Sequence, residues 1–512
     1  MRHYQIALTL LSAAVLSACG GSGSSGPVVS TSTARGTLLA SPPNMVPVPQ
    51  PSGPAVTQLA PQVFGQMLEA AQPGLTQVTG VPKCSITTYY MKYATVGGAN
   101  EATTATGAIM VPSGSDPACS GPRPVVLYAH GTTADKSFNM SDIRDYQEAT
   151  LAAAIFAAQG FIVVAPNYAG YDVSTLSYHP YLNGDQQAND MIDALRAARS
   201  AFPAIGAQDS GKLVVSGYSQ GGYVAMATER SMQLNYASEF KVSALAGLSG
   251  PYAISLLGDA IFGGSPNAGG TVFLPMITTS WQKSYGGMYN TPNDIYEDQY
   301  ATGIESLLPG NWPTLNSIFV ANKLPAMAMF AANSLPGASS PAFQSFFGAN
   351  NLIKTSYRNA YLADAVQNPC NVNPASPLNC SPSNAFRKAA VKNDLRNYIP
   401  NVPVMFCGGN ADPTVFFVST QATAGFMLVN GYPAAGLTVL DVDSQSTGAT
   451  DPFVAAKAGF AQSKQAVINA AIAAGQNPAT AVAAAYHGTL VPPFCMAAAR
   501  GYFQQILAKQ PQ

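Results

Sequence analysis

The chain has 512 residues, of which 47% are hydrophobic and only 10% are charged, and its formal net charge is −1. This length supports a large hydrophobic core and more than one compact unit. Because the charge is close to neutral and no basic stripe occurs, nucleic acid is excluded as a partner.

Residues 1–18 are predicted to be a secretory signal peptide. A short basic start is followed by an apolar run from Ile6 to Leu16 and then by small residues. This order is typical of a secretory signal, and the apolar run is too short to span a bilayer stably. The ending "LSAC" resembles the lipobox of bacterial lipoproteins. That resemblance implies lipidation at Cys19 and a membrane anchor, and an ordinary signal cleaved near Ala18 is the alternative.

The residue after the lipobox bears on where the protein is held. Gly20 follows the cysteine, and in lipoproteins resembling this one that favours the outer membrane of a bacterium. A periplasmic or secreted protein is the alternative. Residues 19–60 are rich in Pro, Ser, Thr and Gly, which predicts a flexible tether.

Six cysteines remain once Cys19 is set aside, and an even set in an oxidising compartment predicts disulfides. Six cysteines allow 15 complete pairings. The preferred set is Cys84–Cys119, Cys370–Cys380 and Cys407–Cys495. Because no C-x-x-C pair occurs and there are only 4 histidines, no metal or cofactor site is predicted.

Alternating strands and helices predict an α/β core over residues 61–250. The first two strands, "ITTYYMKYATV" and "TATGAIMVP", are expected to be antiparallel. The apolar strands "PVVLYAH", "FIVVAPNY", "KLVVSGYS" and "VSALAGLS" follow, with helical segments between them. Strands that are continuous apolar runs indicate a mostly parallel sheet covered by helices on both faces.

The alternation stops after Ser249. Residues 251–400 are apolar and irregular, and they resemble an inserted cap or lid domain of mainly helical structure. The core resumes over residues 401–512 with the strands "VPVMFCGG" and "GLTVLDV". An Ala-rich helical insert over about 451–484 and a closing helix complete the chain.

The stretch "GYSQGG" places Ser219 between a predicted strand and a predicted helix. The G-x-S-x-G pattern is short enough to arise by chance, but this context is the one that a nucleophile elbow requires. A sharp turn there lifts the hydroxyl above the sheet, and the helix N-terminus favours negative charge. Ser219 is therefore the candidate nucleophile, with an incidental serine in a glycine-rich turn as the alternative.

A serine hydroxyl needs a base. In α/β hydrolases the chain order is serine, acid, histidine, and His487 is the one histidine that follows Ser219. It is expected in a loop after the last strand and before the last helix. His487 is thus the candidate base, with a surface histidine as the alternative.

Asp412 is the candidate acid, because it follows the strand "VMFCGG" directly. Its carboxylate would hold the imidazole in one tautomer and stabilise the imidazolium. Asp441 and Asp443 are competitors, and an Asp-Pro turn is the other interpretation of Asp412. The Cys407–Cys495 pair would hold the aspartate loop close to the segment after the histidine.

The motifs "YAHGTT", "FIVVAPNYAGYD", "GYSQGG", "GNADPTV" and "YHGT" together resemble the secretory lipase family of serine α/β hydrolases, which includes fungal lipase A enzymes. The resemblance covers roughly residues 84–250 and 400–508, and it implies an α/β-hydrolase fold with a cap over about 251–400. Acyl transfer also needs oxyanion donors. One would be the backbone N–H of Gln220. Resemblance to hydrolases with an HG turn implies the amide of Thr132 as the other, in a loop that His130 would orient.

These features predict an exported carboxylic-ester hydrolase that forms an acyl-enzyme on apolar small-molecule, lipid or polyester substrates. A serine peptidase of the same fold is one alternative, although no propeller-like repeat is visible. A catalytically inactive, lipid-anchored binding protein is another, although the serine, histidine and acid are all retained.

Overall fold

The computed structural model describes residues 33–50 and 53–510, so the predicted signal peptide and Cys19 lie outside the described residues. A sheet of ten strands forms the centre. Its strands are β1 (Asn44–Met45), β2 (Gln58–Leu59), β3 (Ser85–Val96), β4 (Ala102–Ser113), β5 (Arg123–Ala129), β6 (Ile162–Pro166), β7 (Asp209–Tyr218), β8 (Val242–Leu248), β9 (Val404–Gly408) and β10 (Leu437–Asp441).

The sheet is mixed but mostly parallel. Its strand order is β1-β3-β4-β6-β5-β7-β8-β9-β10, with β2 also paired to β3. The pairs β3–β4 and β4–β6 are antiparallel, whereas the strands from β6 to β10 are parallel. Every residue of β6 and β9 is buried, as expected for parallel strands covered on both faces. The predicted α/β class is confirmed.

Helices follow most of the strands. In the described part of the chain they are α1 (Pro61–Ala71), α2 (Leu75–Thr79), α3 (Gln147–Ile155), α4 (Gly184–Ile205), α5 (Gln220–Asn235), α6 (Ile254–Phe262), α7 (Gly270–Tyr285), α8 (Asp298–Ala301), α9 (Leu315–Val320), α10 (Thr355–Gln367), α11 (Ala385–Asn393), α12 (Val418–Val429), α13 (Val454–Ala473), α14 (Pro478–Ala485) and α15 (Val491–Ala508). None of the helices in this part of the chain is long and apolar enough to cross a membrane.

Two helix pairs bury the central strands. Helices α4 and α5 contact each other, α4 packs on β3 and β6, and α5 packs on β7 and β8. Helix α15 contacts α3 and packs on β7, β8 and β9. These helices pack on both faces of the parallel strands. In α/β proteins, ligands bind beyond the carboxyl ends of such strands.

The N-terminal part of the described chain is ordered on the sheet. Asn44 pairs with Tyr90 of β3, and Gln58 pairs with Thr87 of the same strand. The long edge of β3 would otherwise leave its backbone groups unpaired, and these short extended segments satisfy them. The flexible tether predicted over residues 19–60 therefore does not extend over these two strands.

Three disulfides join Cys84 to Cys119, Cys370 to Cys380 and Cys407 to Cys495. The predicted disulfides are confirmed, with the preferred pairing. The last bond links β9 to α15, so it joins the strand that precedes Asp412 to the helix that follows His487.

Two segments are added to the regular alternation. Residues 251–400, which we call the cap segment, lie between β8 and β9 and contain α6 to α11. Helices α13 and α14 lie between β10 and α15, where the Ala-rich insert was predicted. Both insertions begin beyond the carboxyl end of a parallel strand, the edge at which the candidate nucleophile also lies.

Candidate active site

Ser219 lies in a sharp turn between β7 and α5, with φ 59° and ψ −123°. A positive φ is strained for a residue with a side chain, and such strain is held in place by the surrounding structure. The Ser219 N–H donates to the carbonyl of Leu248 at 2.8 Å. The turn therefore places the serine at the carboxyl edge of the sheet and at the N-terminus of α5, as in a nucleophile elbow.

Glycine is required on the helical side of this turn. A Cβ at Gly221 would lie 1.9 Å from the carbonyl oxygen of Ala129 in β5. A Cβ at Gly222 would lie 2.5 Å from the carbonyl oxygen of Leu248 in β8. The first turn of α5 thus packs directly on two strand ends, which only a residue without a side chain permits.

The structure brings Ser219, His487 and Asp412 together. The Nε2 atom of His487 is 2.7 Å from the Ser219 hydroxyl, and its Nδ1 atom is 2.6 Å from Oδ2 of Asp412. The other carboxylate oxygen of Asp412 accepts the backbone N–H groups of Thr414 at 2.9 Å and Val415 at 3.1 Å. Asp412 is only 4% exposed, so its hydrogen bonds are shielded from water.

His487 lies in a π-helical turn, Tyr486–Leu490, that joins α14 to α15. The loop predicted at this position is therefore wrong in its secondary structure. Single π turns inside helices occur frequently at functional sites. The Tyr218 hydroxyl donates to the His487 carbonyl at 2.5 Å, which ties this turn to the strand that ends at the serine.

The two competing acids occupy other positions. Asp443 accepts the hydroxyl of Tyr486 at 2.7 Å and forms an ion pair with Lys464 of α13 at 2.8 Å. Asp441 accepts the backbone and side-chain amides of Asn410 at 3.1 and 2.7 Å. Both carboxylates support the segments next to the candidate triad, whereas the imidazole itself contacts Asp412.

The turn after β5 lies beside the serine. A Cβ at Gly131 would be 3.4 Å from the Cβ of Ser219. The next amide belongs to Thr132, whose hydroxyl is 2.7 Å from that of Tyr181. In the described part of the chain, neither the Thr132 nor the Gln220 amide donates to a backbone carbonyl. The structure thus places the two predicted oxyanion donors on two turns that meet at the serine.

His130 and His179 are buried beneath these turns. His130 contacts the carbonyl of Gly131 through Nδ1 at 2.7 Å, and burial lowers the pKa of this imidazole to about 4. His179 lies 2.7 Å from the side-chain amide of Gln220, and burial lowers its pKa to about 3. Both imidazoles are therefore neutral near pH 7, and they hold the two turns as hydrogen-bonding groups.

A cleft with a cavity volume of about 90 Å³ opens at Ser219. Of the 20 described residues that line it, none carries a charge, and nine belong to α6 and α7 of the cap segment. They include Ile254, Leu257, Ile261, Phe273, Leu274 and Ile277. The cap segment was predicted from the sequence, but these lining residues were not identified.

Comparison with known proteins bears on the family and the fold. Residues 139–258 match the model of the secretory lipase family, so the resemblance seen in the motifs is confirmed. The rice cell wall degrading esterase LipA from Xanthomonas oryzae has a TM-score of 0.69 and 26% identity, covering 94% of this chain and 100% of that chain.

A putative hydrolase from Legionella pneumophila has a TM-score of 0.63 at 17% identity, covering 92% of this chain and 99% of that chain. At this identity the likeness concerns the fold alone. Comparison with the curated proteins found no match. The two structural matches show that the chain has an α/β-hydrolase fold.

Proposed function

Because this chain resembles the secretory lipases and has the fold of α/β hydrolases, we propose that it is a carboxylic-ester hydrolase with Ser219, His487 and Asp412 as its catalytic triad. The observation that carries the proposal is the hydrogen-bonded series from Asp412 through His487 to Ser219 at the floor of an apolar cleft. The matches to the secretory lipase family and to a LipA esterase support ester hydrolysis.

The distances fit nucleophilic catalysis. The Ser219 oxygen attacks the ester carbonyl carbon while Nε2 of His487, 2.7 Å away, takes the hydroxyl proton. Asp412 accepts a hydrogen bond from the Nδ1–H group of the ring, keeps its negative charge and stabilises the imidazolium that forms. The imidazolium then gives its proton to the leaving alcohol, and the acyl group stays on the serine oxygen. A water molecule attacks the acyl-enzyme by the same route and releases the acid.

The negative charge of each tetrahedral intermediate develops on the former carbonyl oxygen. Preorganised N–H donors aimed at that oxygen lower the barrier, and removing one typically costs about 10²–10³ in kcat. We assign this role to the backbone amides of Gln220 and Thr132. The N-terminus of α5 lies at the same place, so its dipole adds to the stabilisation.

The cleft indicates which esters would be bound. Its lining is apolar, with Asn267, Thr414 and Gln220 among the few polar side chains. Apolar lining with a few polar groups favours ligands that are themselves mostly hydrocarbon. We therefore propose that the acyl group of an uncharged ester occupies the cleft formed by α6 and α7.

The protein is further proposed to be exported and held on the outer membrane through a lipid on Cys19. The secretory family and the three disulfides support export, because disulfides persist in oxidising compartments. Labelled palmitate should enter the wild-type protein and not the Cys19→Ala variant. Labelling that survives this substitution would contradict the anchor.

One substrate panel tests the proposed activity. p-Nitrophenyl butyrate and laurate, beside a prolyl-peptide substrate, are tested with the wild type and with Ser219→Ala. Ester turnover that this substitution abolishes supports the proposal. Peptide cleavage without ester turnover would indicate a peptidase. No turnover, together with no labelling by a fluorophosphonate, would indicate an inactive binding protein.

A further inference from the structure

Glu148 lies behind the turn that carries one proposed oxyanion donor, and the mechanism above gives it no role. It is the second residue of α3. Both of its carboxylate oxygens accept the Gly131 N–H at 3.0 Å, and one also accepts the hydroxyl of Tyr128 at 2.8 Å. Tyr128 belongs to β5 and is fully buried. The carboxylate therefore connects the end of β5 to the turn that leaves it.

Removing this carboxylate from water costs free energy. Glu148 as a whole is only partly buried, but its carboxylate lies among buried groups, and this desolvation raises the pKa of Glu148 to about 7. The hydrogen bonds from Gly131 and Tyr128 offset part of the rise, as does the electrostatic effect of His487. Burying a carboxylate costs free energy unless its oxygens are hydrogen-bonded, and both oxygens of Glu148 accept such bonds.

The geometry of one peptide unit connects Glu148 to the proposed oxyanion donor. The Gly131 carbonyl and the Thr132 N–H belong to the same planar trans peptide, so they point in opposite directions. His130 holds the carbonyl through Nδ1 at 2.7 Å. Glu148 holds the preceding N–H, that of Gly131, on the other side of the same residue. With both groups fixed, the direction of the Thr132 N–H is fixed as well.

We propose that Glu148 is a positioning residue, whose carboxylate anchors Gly131 so that the Thr132 N–H points at the oxyanion. This inference rests on the proposed ester hydrolysis and on the assignment of Thr132 as a donor. In this role Glu148 acts through the backbone and does not contact the substrate.

The test compares Glu148→Gln with a matched control, Glu229→Gln. An amide offers one acceptor oxygen where the carboxylate offers two, so the anchor of Gly131 is weakened. Glu229 is also a buried acid bonded to a tyrosine, Tyr398, at 2.9 Å, and burial raises its pKa to about 7. It lies further along α5, with no hydrogen bond to the turn after β5 among the described residues.

The measured quantities are kcat and KM for p-nitrophenyl butyrate and for its thiono analogue, in which sulfur replaces the carbonyl oxygen. Sulfur accepts hydrogen bonds poorly, so the oxygen-to-sulfur ratio of kcat reports the oxyanion donors. Glu148→Gln should lower kcat for the oxygen ester about tenfold, with KM within about twofold, and should lower the ratio by a similar factor. Glu229→Gln should leave both unchanged.

An unchanged ratio in Glu148→Gln would overturn the inference, even if total activity fell, because a general structural role would slow both substrates alike. If thermal unfolding shows that this variant does not fold, Tyr128→Phe replaces it. That variant loosens the carboxylate and should lower the ratio a few-fold, and an unchanged ratio would again overturn the inference. Full turnover by Ser219→Ala would instead contradict the proposed function itself.

Discussion

Asp412→Asn is expected to abolish most turnover while the fold is kept. One oxygen of Asp412 accepts two backbone N–H groups, those of Thr414 and Val415, so an asparagine must place its amide oxygen there. Its NH₂ group then faces Nδ1 of His487, which lies 2.6 Å from the present carboxylate oxygen. Because that nitrogen must now accept, the ring proton moves to Nε2, which can no longer take the proton of Ser219.

A wrong tautomer of this kind lowers kcat by a factor of about 10⁴. This corresponds to about 5.5 kcal/mol in the barrier, since each tenfold change is about 1.4 kcal/mol. We expect KM to change little, because Asp412 is not among the residues that line the cleft. The assay is the hydrolysis of p-nitrophenyl butyrate at pH 8, with thermal unfolding as the check on folding.

Asp441→Asn is the matched control. One oxygen of Asp441 accepts the backbone N–H groups of Asn410 and Asp443, and the side-chain amide of Asn410 can rotate to meet the new NH₂ group. The control should keep kcat within about threefold of wild type. A loss smaller than tenfold in Asp412→Asn, or equal losses in the two variants, would refute the assignment of Asp412.

Three further outcomes are expected. Ile261→Trp fills the cleft and should lower kcat/KM for the laurate ester at least about fivefold more than kcat/KM for the butyrate ester. The control Ile472→Trp, at an exposed position of α13, should not change the ratio of these two kcat/KM values. Gly221→Ala should destabilise the fold by more than about 3 kcal/mol in urea unfolding, because its Cβ would meet the Ala129 carbonyl, and Gly425→Ala, with open space around it, should not destabilise. Burial raises the pKa of Glu229 from 4.5 to about 7, so its protonated form stabilises the fold below pH 4.5 and this contribution is lost as the pH rises to about 7. Between pH 4.5 and about 7, the free energy of unfolding of Glu229→Gln, measured in urea, should therefore rise by on the order of 3 kcal/mol relative to that of wild type. Parallel pH profiles of the two proteins would contradict this effect of the burial of Glu229.

The alternation of strands and helices could be predicted because buried parallel strands are continuous apolar runs, as in Ile162–Pro166. The pairing of Asn44–Met45 with β3 could not, since a two-residue strand leaves no periodic pattern in the sequence. The π-helical turn at Tyr486–Leu490 was also missed, because its residues differ in no obvious way from those of an ordinary loop before a helix.

In the candidate site, too, some residues could be predicted from the sequence and others could not. A local motif and chain order were enough to single out Ser219 and His487. Spacing could not separate Asp412 from Asp441 and Asp443, because all three lie at or just beyond the carboxyl ends of the neighbouring strands β9 and β10. Glu148 was not singled out, because the role that we propose for it depends on a contact with a residue 17 positions away, and nothing in its own helix marks it.

The central claim is that Ser219 carries the acyl group during turnover. Mass spectrometry of the protein, quenched with acid during hydrolysis of p-nitrophenyl butyrate, tests it directly. We expect a butyryl group on the peptide that contains Ser219, in an amount that matches the burst of p-nitrophenol, and none on the Ser219→Ala protein. A butyryl group on another residue, or turnover by Ser219→Ala at the wild-type rate, would contradict it.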